Sequence, residues 1–210
     1  WTMDGNNNIH AILGFMEGTH LDGLITVPPN YSNIYKYYLV KFEYQNGTMI
    51  PQQNPIALPM TGNITNGWRS GVVNLLYNEA LGMYYLTGMR RVGRTTDYLP
   101  FSFGSTTFGN DAYIIAFNGT TGQLAWSKEF KWTIPQNNIG PDHKIYSIIQ
   151  EENTNNIFIS GWFDRWDVSP LLFGNDLMTS NYQGQIPYVM KLNQNGDILW
   201  RKISTGLDHG

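Results

Sequence analysis

The sequence predicts an all-β chain built on an internal period of about 74 residues, and three observations carry that expectation. The stretch DAYIIAFNGTTGQLAWSKEF, from Asp111 to Phe130, recurs near the C-terminus as YVMKLNQNGDILWRKIS, from Tyr188 to Ser204. Each is an apolar run, an Asn/Gly turn and a second run that carries Trp, the pattern of two antiparallel strands. Landmarks hold the period: Gly14, Gly88 and Gly161 at spacings of 74 and 73, Tyr38, Tyr113 and Tyr188 at 75 and 75, Gly47, Gly122 and Gly196 at 75 and 74, and Trp126 and Trp200 at 74. Composition agrees, because 13 Tyr, 10 Phe, 7 Trp and 22 Gly favour strands and tight turns, and no stretch shows helical periodicity.

The strands follow in chain order. The first copy offers a stub at Trp1–Met3, then Ile9–Gly14, Tyr37–Glu43 and Thr48–Ile50, with Pro51 standing where the later copies carry Trp126 and Trp200. The second offers Val72–Tyr77, Met83–Gly88, Ala112–Phe117 and Leu124–Phe130, and the third Ile145–Gln150, Ile157–Phe163, Ile186–Leu192 and Ile198–Ile203. Polar turns at Asp4–Asn8, Asn78–Gly82 and Glu152–Asn156 join the first two strands of each copy. The next connection is long, with 23, 24 and 26 residues separating Gly14 from Tyr38, Gly88 from Tyr113 and Gly161 from Tyr188. Four strands per repeat is the make-up of one propeller blade, and the long connection explains a period above the 40–50 residues usual for such repeats. The expected architecture is therefore one partial β-propeller over residues 1–210, with blades at about 1–55, 68–131 and 143–204.

Bulk properties exclude several classes. A formal charge of −3 with 14% charged residues, and no basic stripe beyond Arg90, Arg91 and Arg94, argues against nucleic acid. No apolar run approaches the roughly 20 residues of a spanning helix, so no membrane insertion is expected. With no cysteine, disulfides, thiolate metal sites and a Cys nucleophile are ruled out. The chain opens at Trp1 on a truncated copy of the repeat, which leads us to expect a piece of a longer protein.

The order of a Gly-ended strand, a loop with a Phe-Gly or Asp-Gly element (LDGLITV, FSFGSTTFGN, LLFGNDLMTSN), an apolar strand, an Asn/Asp-Gly turn and a Trp-ended strand resembles the bacterial seven-bladed β-propeller repeat over essentially the whole chain. That resemblance implies a secreted, cell-surface or periplasmic protein that acts as a binding or scaffold element, with a protein partner in a larger surface or secretion assembly, or a glycan. One segment, Ala116–Trp126 (AFNGTTGQLAW), is similar to the tryptophan-docking repeat of quinoprotein dehydrogenases, in which the Thr-Gly turn and the Trp lock adjacent blades. Asn195-Gly196 and Asn46-Gly47 lack that Thr, and the period is longer than in that family. Trp126 and Trp200 are accordingly expected to pack between blades, buried enough that Trp200→Ala would be destabilising.

Candidate chemistry is sparse. His10, His20, His143 and His209 fall at different repeat positions without metal spacing. Asp164, Asp167 and Phe173–Asp176 offer oxygen ligands but no alternating ligand loop, and turn chemistry accounts for them. No nucleophile elbow, phosphate loop or paired carboxylate motif occurs, and no cofactor is expected. Four sequons, beginning at Asn30, Asn46, Asn63 and Asn118, carry no argument in so Asn-rich a chain. The position that varies most between copies follows the Gly-ended strand: FMEGTH, MRRVGRTTD and WFDRWD. Loops on a rigid frame carry recognition, and Arg with Trp is the composition of binding hot spots. The candidate binding residues are therefore Arg90, Arg91, Arg94, Asp97, Trp162, Asp164, Arg165, Trp166 and Asp167. Three function classes stay open: a recognition module, a structural part of an assembly, and an enzyme fragment whose catalytic residues lie on other blades.

Overall fold

Alternation of apolar and polar residues between Asn/Gly turns leaves the backbone one economical solution, the antiparallel meander. The computed structural model describes residues 1–29, 35–52, 54–61, 70–90, 101–108, 112–132, 143–165, 170–181 and 183–204, and no helix occurs among them. Strands β1 (Thr2–Met3), β2 (Ile9–Phe15), β5 (Lys36–Gln45) and β6 (Thr48–Pro51) form the first sheet, in that order. Between β2 and β5 stand β3 (Gly18–His20) and β4 (Ile25–Val27), and after β6 come β7 (Ile56–Leu58), paired with β5, and β8 (Met60–Thr61). The second sheet holds β9 (Ser70–Asn78), β10 (Met83–Arg90), β13 (Ala112–Asn118) and β14 (Leu124–Trp132), with β11 (Phe101–Phe103) and β12 (Thr106–Phe108) inserted. The third holds β15 (Lys144–Gln150), β16 (Ile157–Arg165), β19 (Gly184–Leu192) and β20 (Ile198–Ile203), with β17 (Leu171–Phe173) and β18 (Asp176–Met178) inserted.

Local chemistry explains the turns. The Asn118 carboxamide oxygen accepts from the Thr120 and Thr121 N–H groups at 2.8 and 2.9 Å, and the Asn193 oxygen accepts from Asn195 and Asp197 at 2.9 Å each. Such Asx turns reverse the chain just before Gly122 and Gly196, whose φ of +68° and +84° suits only glycine without strain. The long connections are not plain loops: each folds into a small hairpin. Gly104 and Gly174, at φ +60° and +62°, supply the first central residue of the two-residue loops in the second and third of them.

These hairpins tie each sheet to the one before it. The end of β14 pairs with β17, matching Phe130 with Phe173, and β8 pairs with β11, matching Met60 with Phe103. The Gly174 N–H donates to the Glu129 carbonyl at 3.0 Å, and the Gly104 N–H donates to Pro59 at 2.7 Å. Hairpin β3–β4 stands as a two-stranded sheet with no third strand among the described residues.

The three sheets stack face to face. Call the face directed at the following sheet the front and the other the back. Tyr37 and Leu39 on the front of the first sheet share a core with Tyr84, Leu86, Tyr113, Ile115 and Phe117 on the back of the second. Tyr85, Ala112, Ile114 and Ala116 on the front of the second share another with Ile159, Phe163, Tyr188 and Met190 on the back of the third. Strand β13 is thus buried on both faces, which is why AYIIAF is apolar without alternation, whereas β19 alternates strictly over Gly184–Met190.

The register corrects two expectations. Gly88 lies opposite Tyr113 and Gly161 opposite Tyr188, but Gly14 lies opposite Tyr37, and Leu13 takes the place opposite Tyr38. Tyr38, Tyr113 and Tyr188 each share a core with the hairpin of their own segment, so the tyrosines correspond and Gly14 is displaced by one residue to the other face. Nor do the glycines end strands, since pairing continues to Phe15, Arg90 and Arg165. At Gly14 and Gly88 the missing side chain leaves room for a ring, a Cβ on Gly88 sitting 2.2 Å from the Tyr113 ring, while at Gly161 it leaves room for the Lys144 carbonyl.

Candidate functional site

A third correction concerns tryptophan. Trp126 is half-buried, its Nε1–H donating to the Gln194 carbonyl at 2.8 Å, and its indole lies where a Cβ on Gly196 would come within 2.8 Å. It docks on the β19–β20 turn of the next segment. Trp200, its counterpart one period on, was expected to be buried in the same way but is 45% exposed. The physical reason is that no further sheet lies in front of the third among the described residues.

That front face is the candidate site. Cross-strand partners share a face, so the register places Ile149, Phe158, Lys191 and Trp200 in one row across β15, β16, β19 and β20, Ser147, Ser160, Val189 and Lys202 in the next, and Lys144, Trp162 and Pro187 in a third. The Phe158 and Trp200 rings lie 5.8 Å apart and tilted, and Ile149 is 57% exposed. Lys191 Nζ stands 5.6 Å over the Phe158 ring and 2.6 Å from Glu151 Oε1. The Glu151 carboxyl is held down to about pKa 2 by hydrogen bonds from Asn156, Lys191 and Thr154. At the other end Trp162 Nε1–H donates to the Tyr146 hydroxyl at 2.9 Å, with Lys144 Nζ 5.0 Å from the centre of its indole ring. The surface is a sheet face of rings and aliphatic chains edged by lysine.

Of the residues expected from sequence, only Trp162 belongs to this face with a described side chain. Arg90 closes β10 opposite Ser70, and Asp164 and Arg165 close β16 opposite Gln185 and Gly184, with only their backbones described. Arg91, Arg94, Asp97, Trp166 and Asp167 lie outside the described residues. Sequence reasoning missed Phe158, Ile149 and Tyr146, although Phe158 stands 73 residues after Tyr85, the spacing of Gly88 and Gly161, and its ring meets Trp200 as that of Tyr85 meets Trp126.

A second polar cluster joins the first two sheets. His10, 1% exposed, accepts at Nδ1 from the Tyr84 hydroxyl at 2.6 Å and donates from Nε2 to Asp4 Oδ2 at 3.2 Å, a neutral tautomer that satisfies both neighbours. Burial lowers the His10 pKa, the Lys41 charge lowers it further, and Asp4 opposes both. Partial burial works against the Asp4 carboxylate, but hydrogen bonds from the Asn8 side chain and the Asn8 and Asn6 N–H groups outweigh it and hold its pKa down. Burial pushes the Tyr84 hydroxyl well above its ordinary value. Tyr84 is fully buried, so this cluster is a tie between sheets. Among the described residues no group of three or more His, Asp or Glu is placed to hold a metal ion, and no helix is long and apolar enough to cross a membrane.

No family model, no curated protein and no solved structure matches the chain.

Proposed function

We propose that the chain is a non-catalytic binding and scaffold module, a segment of a β-propeller in an extracellular, cell-surface or periplasmic protein, and that it works through the front face of its third sheet. The propeller reading is supported by three successive antiparallel sheets of five, six and four strands, each containing a run of four strands in meander order, stacked face to face; the first strands of the second and third lie side by side, Asn74 on β9 donating from Nδ2 to the Tyr146 carbonyl on β15 at 3.1 Å. The placement outside the cytoplasm rests on the resemblance of the repeat. The single observation that carries the function is the contrast between covered and bare fronts. The first two sheets bury theirs, whereas the third leaves Ile149 and Trp200 in contact with water, and clustered exposed apolar side chains mark interaction surfaces. Trp162, Tyr146 and Lys144 favour a second reading, a glycan platform, because an indole ring beside hydrogen-bonding groups suits a sugar.

Capture from envelope and secreted fractions, alongside a glycan array, tests the proposal with Trp200→Glu and Trp162→Ala chains. The expected outcome is a partner lost with Trp200→Glu, or a glycan lost with Trp162→Ala, at unchanged melting temperature. Binding that both variants retain in full would sink it.

A further inference from the structure

The seam between the first and second sheets holds a buried titratable group that the binding face on the third sheet does not use. His10, on β2, lies against Tyr77 of β9 and Tyr84 of β10, its ring centroid 4.7 and 5.7 Å from theirs, and its two ring nitrogens join Tyr84 to Asp4. The charged and titratable groups that face the imidazole are Asp4 from the β1–β2 turn, Lys41 opposite it on β5, Tyr77 on β9, Glu79 from the β9–β10 turn and Tyr84 on β10, while β1 sets the uncharged Thr2 opposite it. Two further bonds cross the same seam: the Gly5 N–H donates to Glu79 Oε2 at 3.4 Å, and the Gly104 N–H to the Pro59 carbonyl at 2.7 Å. His10 is enclosed by two sheets of this chain, so the tie does not depend on what adjoins either end.

We infer that this tie is an acid-sensitive latch, in which a proton taken up by His10 releases the first sheet from the second. The neutral ring accepts from one neighbour and donates to the other, whereas the imidazolium donates at both nitrogens. Its Nδ1–H then confronts the Tyr84 O–H, and a fully buried hydroxyl loses its acceptor where water cannot replace it. Burial and the Lys41 charge oppose the added charge, and Asp4 and Glu79 favour it without prevailing, so the closed seam holds His10 below its ordinary 6.5. An opened seam hydrates the ring and returns it toward that value. The open form therefore binds the proton more tightly, and the latch weakens as pH falls through 6.5. Opening bares the core that Tyr37 and Leu39 share with Leu86 and Phe117, and leaves the packing of the second sheet on the third in place.

Native-state hydrogen exchange at the Gly104 amide, corrected for its intrinsic pH dependence, reads the opening of this seam, and the Gly174 amide, which donates to the Glu129 carbonyl at 3.0 Å, reads the next one. In the wild-type chain Gly104 should lose protection between pH 7.5 and pH 5, by up to about thirtyfold for a single proton. His10→Gln keeps an acceptor for Tyr84 and a donor for Asp4 but does not titrate. It should hold Gly104 at its pH 7.5 protection and leave the response of Gly174 as in the wild type. Wild-type Gly104 that keeps its protection at pH 5 overturns the inference, as does an equal loss in His10→Gln, or a loss at Gly174 that the variant also removes, which would mean that the chain opens as a whole. Imidazole nitrogen shifts test the wild type without a variant. At pH 5.5 His10 in the closed chain should still be the neutral Nε2–H tautomer, and a ring that charges near pH 6.5 with the sheets packed overturns the inference.

Discussion

At the scale of single residues, the tightest constraints are glycines facing rings or backbone. A Cβ on Gly161 would lie 1.8 Å from the Lys144 carbonyl oxygen, which is backbone and cannot swing aside. Gly161→Ala should therefore force a shift of β15 against β16 and destabilise by about 1–3 kcal/mol, as overpacking does, measured by urea denaturation. At Gly14 the nearest atom is a ring carbon of Tyr37 at 2.8 Å, so Gly14→Ala should cost less than Gly161→Ala. The histidines set a pH response. Burial pushes His143 down to about 3 from an ordinary 6.5, and His10 is lowered as well. Below pH 6.5 the unfolded chain takes up these protons first, so folding stability is full above that pH and falls as the medium is acidified. For His143 the slope is roughly 1.4 kcal/mol per pH unit between the two values. Denaturation midpoints at pH 7.5 and pH 5 check this, and a midpoint that does not drop at pH 5 would contradict it.

At the scale of elements, the outcome for two tryptophans in the same local pattern differs. Trp126→Ala removes the hydrogen bond to Gln194 and the ring seated on Gly196, and should cost about 2–3 kcal/mol, somewhat under the value for a fully buried Trp. Trp200→Ala, at a largely solvated side chain, should change stability by within about 0.5 kcal/mol. Thermal melts of the two variants give the comparison, and equal losses would mean that Trp200 is packed after all. Sequence pattern alone leaves the inserted hairpins as loops, since three-residue strands such as FSF and LLF are too short to show alternation. Only their pairing with β8 and β14 reveals that they lock neighbouring segments.

For the whole molecule, the second sheet is the keystone, with one core in front of it and one behind. Strand β13, buried on both faces and paired on both edges, should hold the slowest-exchanging amides, and the edge strands β6 and β20 the fastest. Native-state hydrogen exchange resolves this, and faster exchange in β13 than in β20 would show that the sheets open independently of their stacking. Of the candidate site, sequence reasoning reached Trp162 and the period that locates Trp200. It could not reach the face they share, because Lys144, Tyr146 and Ile149 lie on a strand, KIYSIIQ, whose bulge between Ile145 and Ser147 disrupts the alternation from which a face is read.

What the sequence by itself determined is the local part of the fold. Strand class, the Asx turns at Asn118 and Asn193 and the absence of helix among the described residues all follow from neighbours a few positions apart in the chain, and the spacing of Tyr38, Tyr113 and Tyr188 is read directly from the repeat. Tertiary structure alone decided that Gly14 faces Tyr37, that Trp126 is covered and Trp200 bare, and that His10 reaches Tyr84. Register and burial depend on which sheet lies opposite, and two identical local patterns diverge as soon as one has a neighbour in front of it and the other has water.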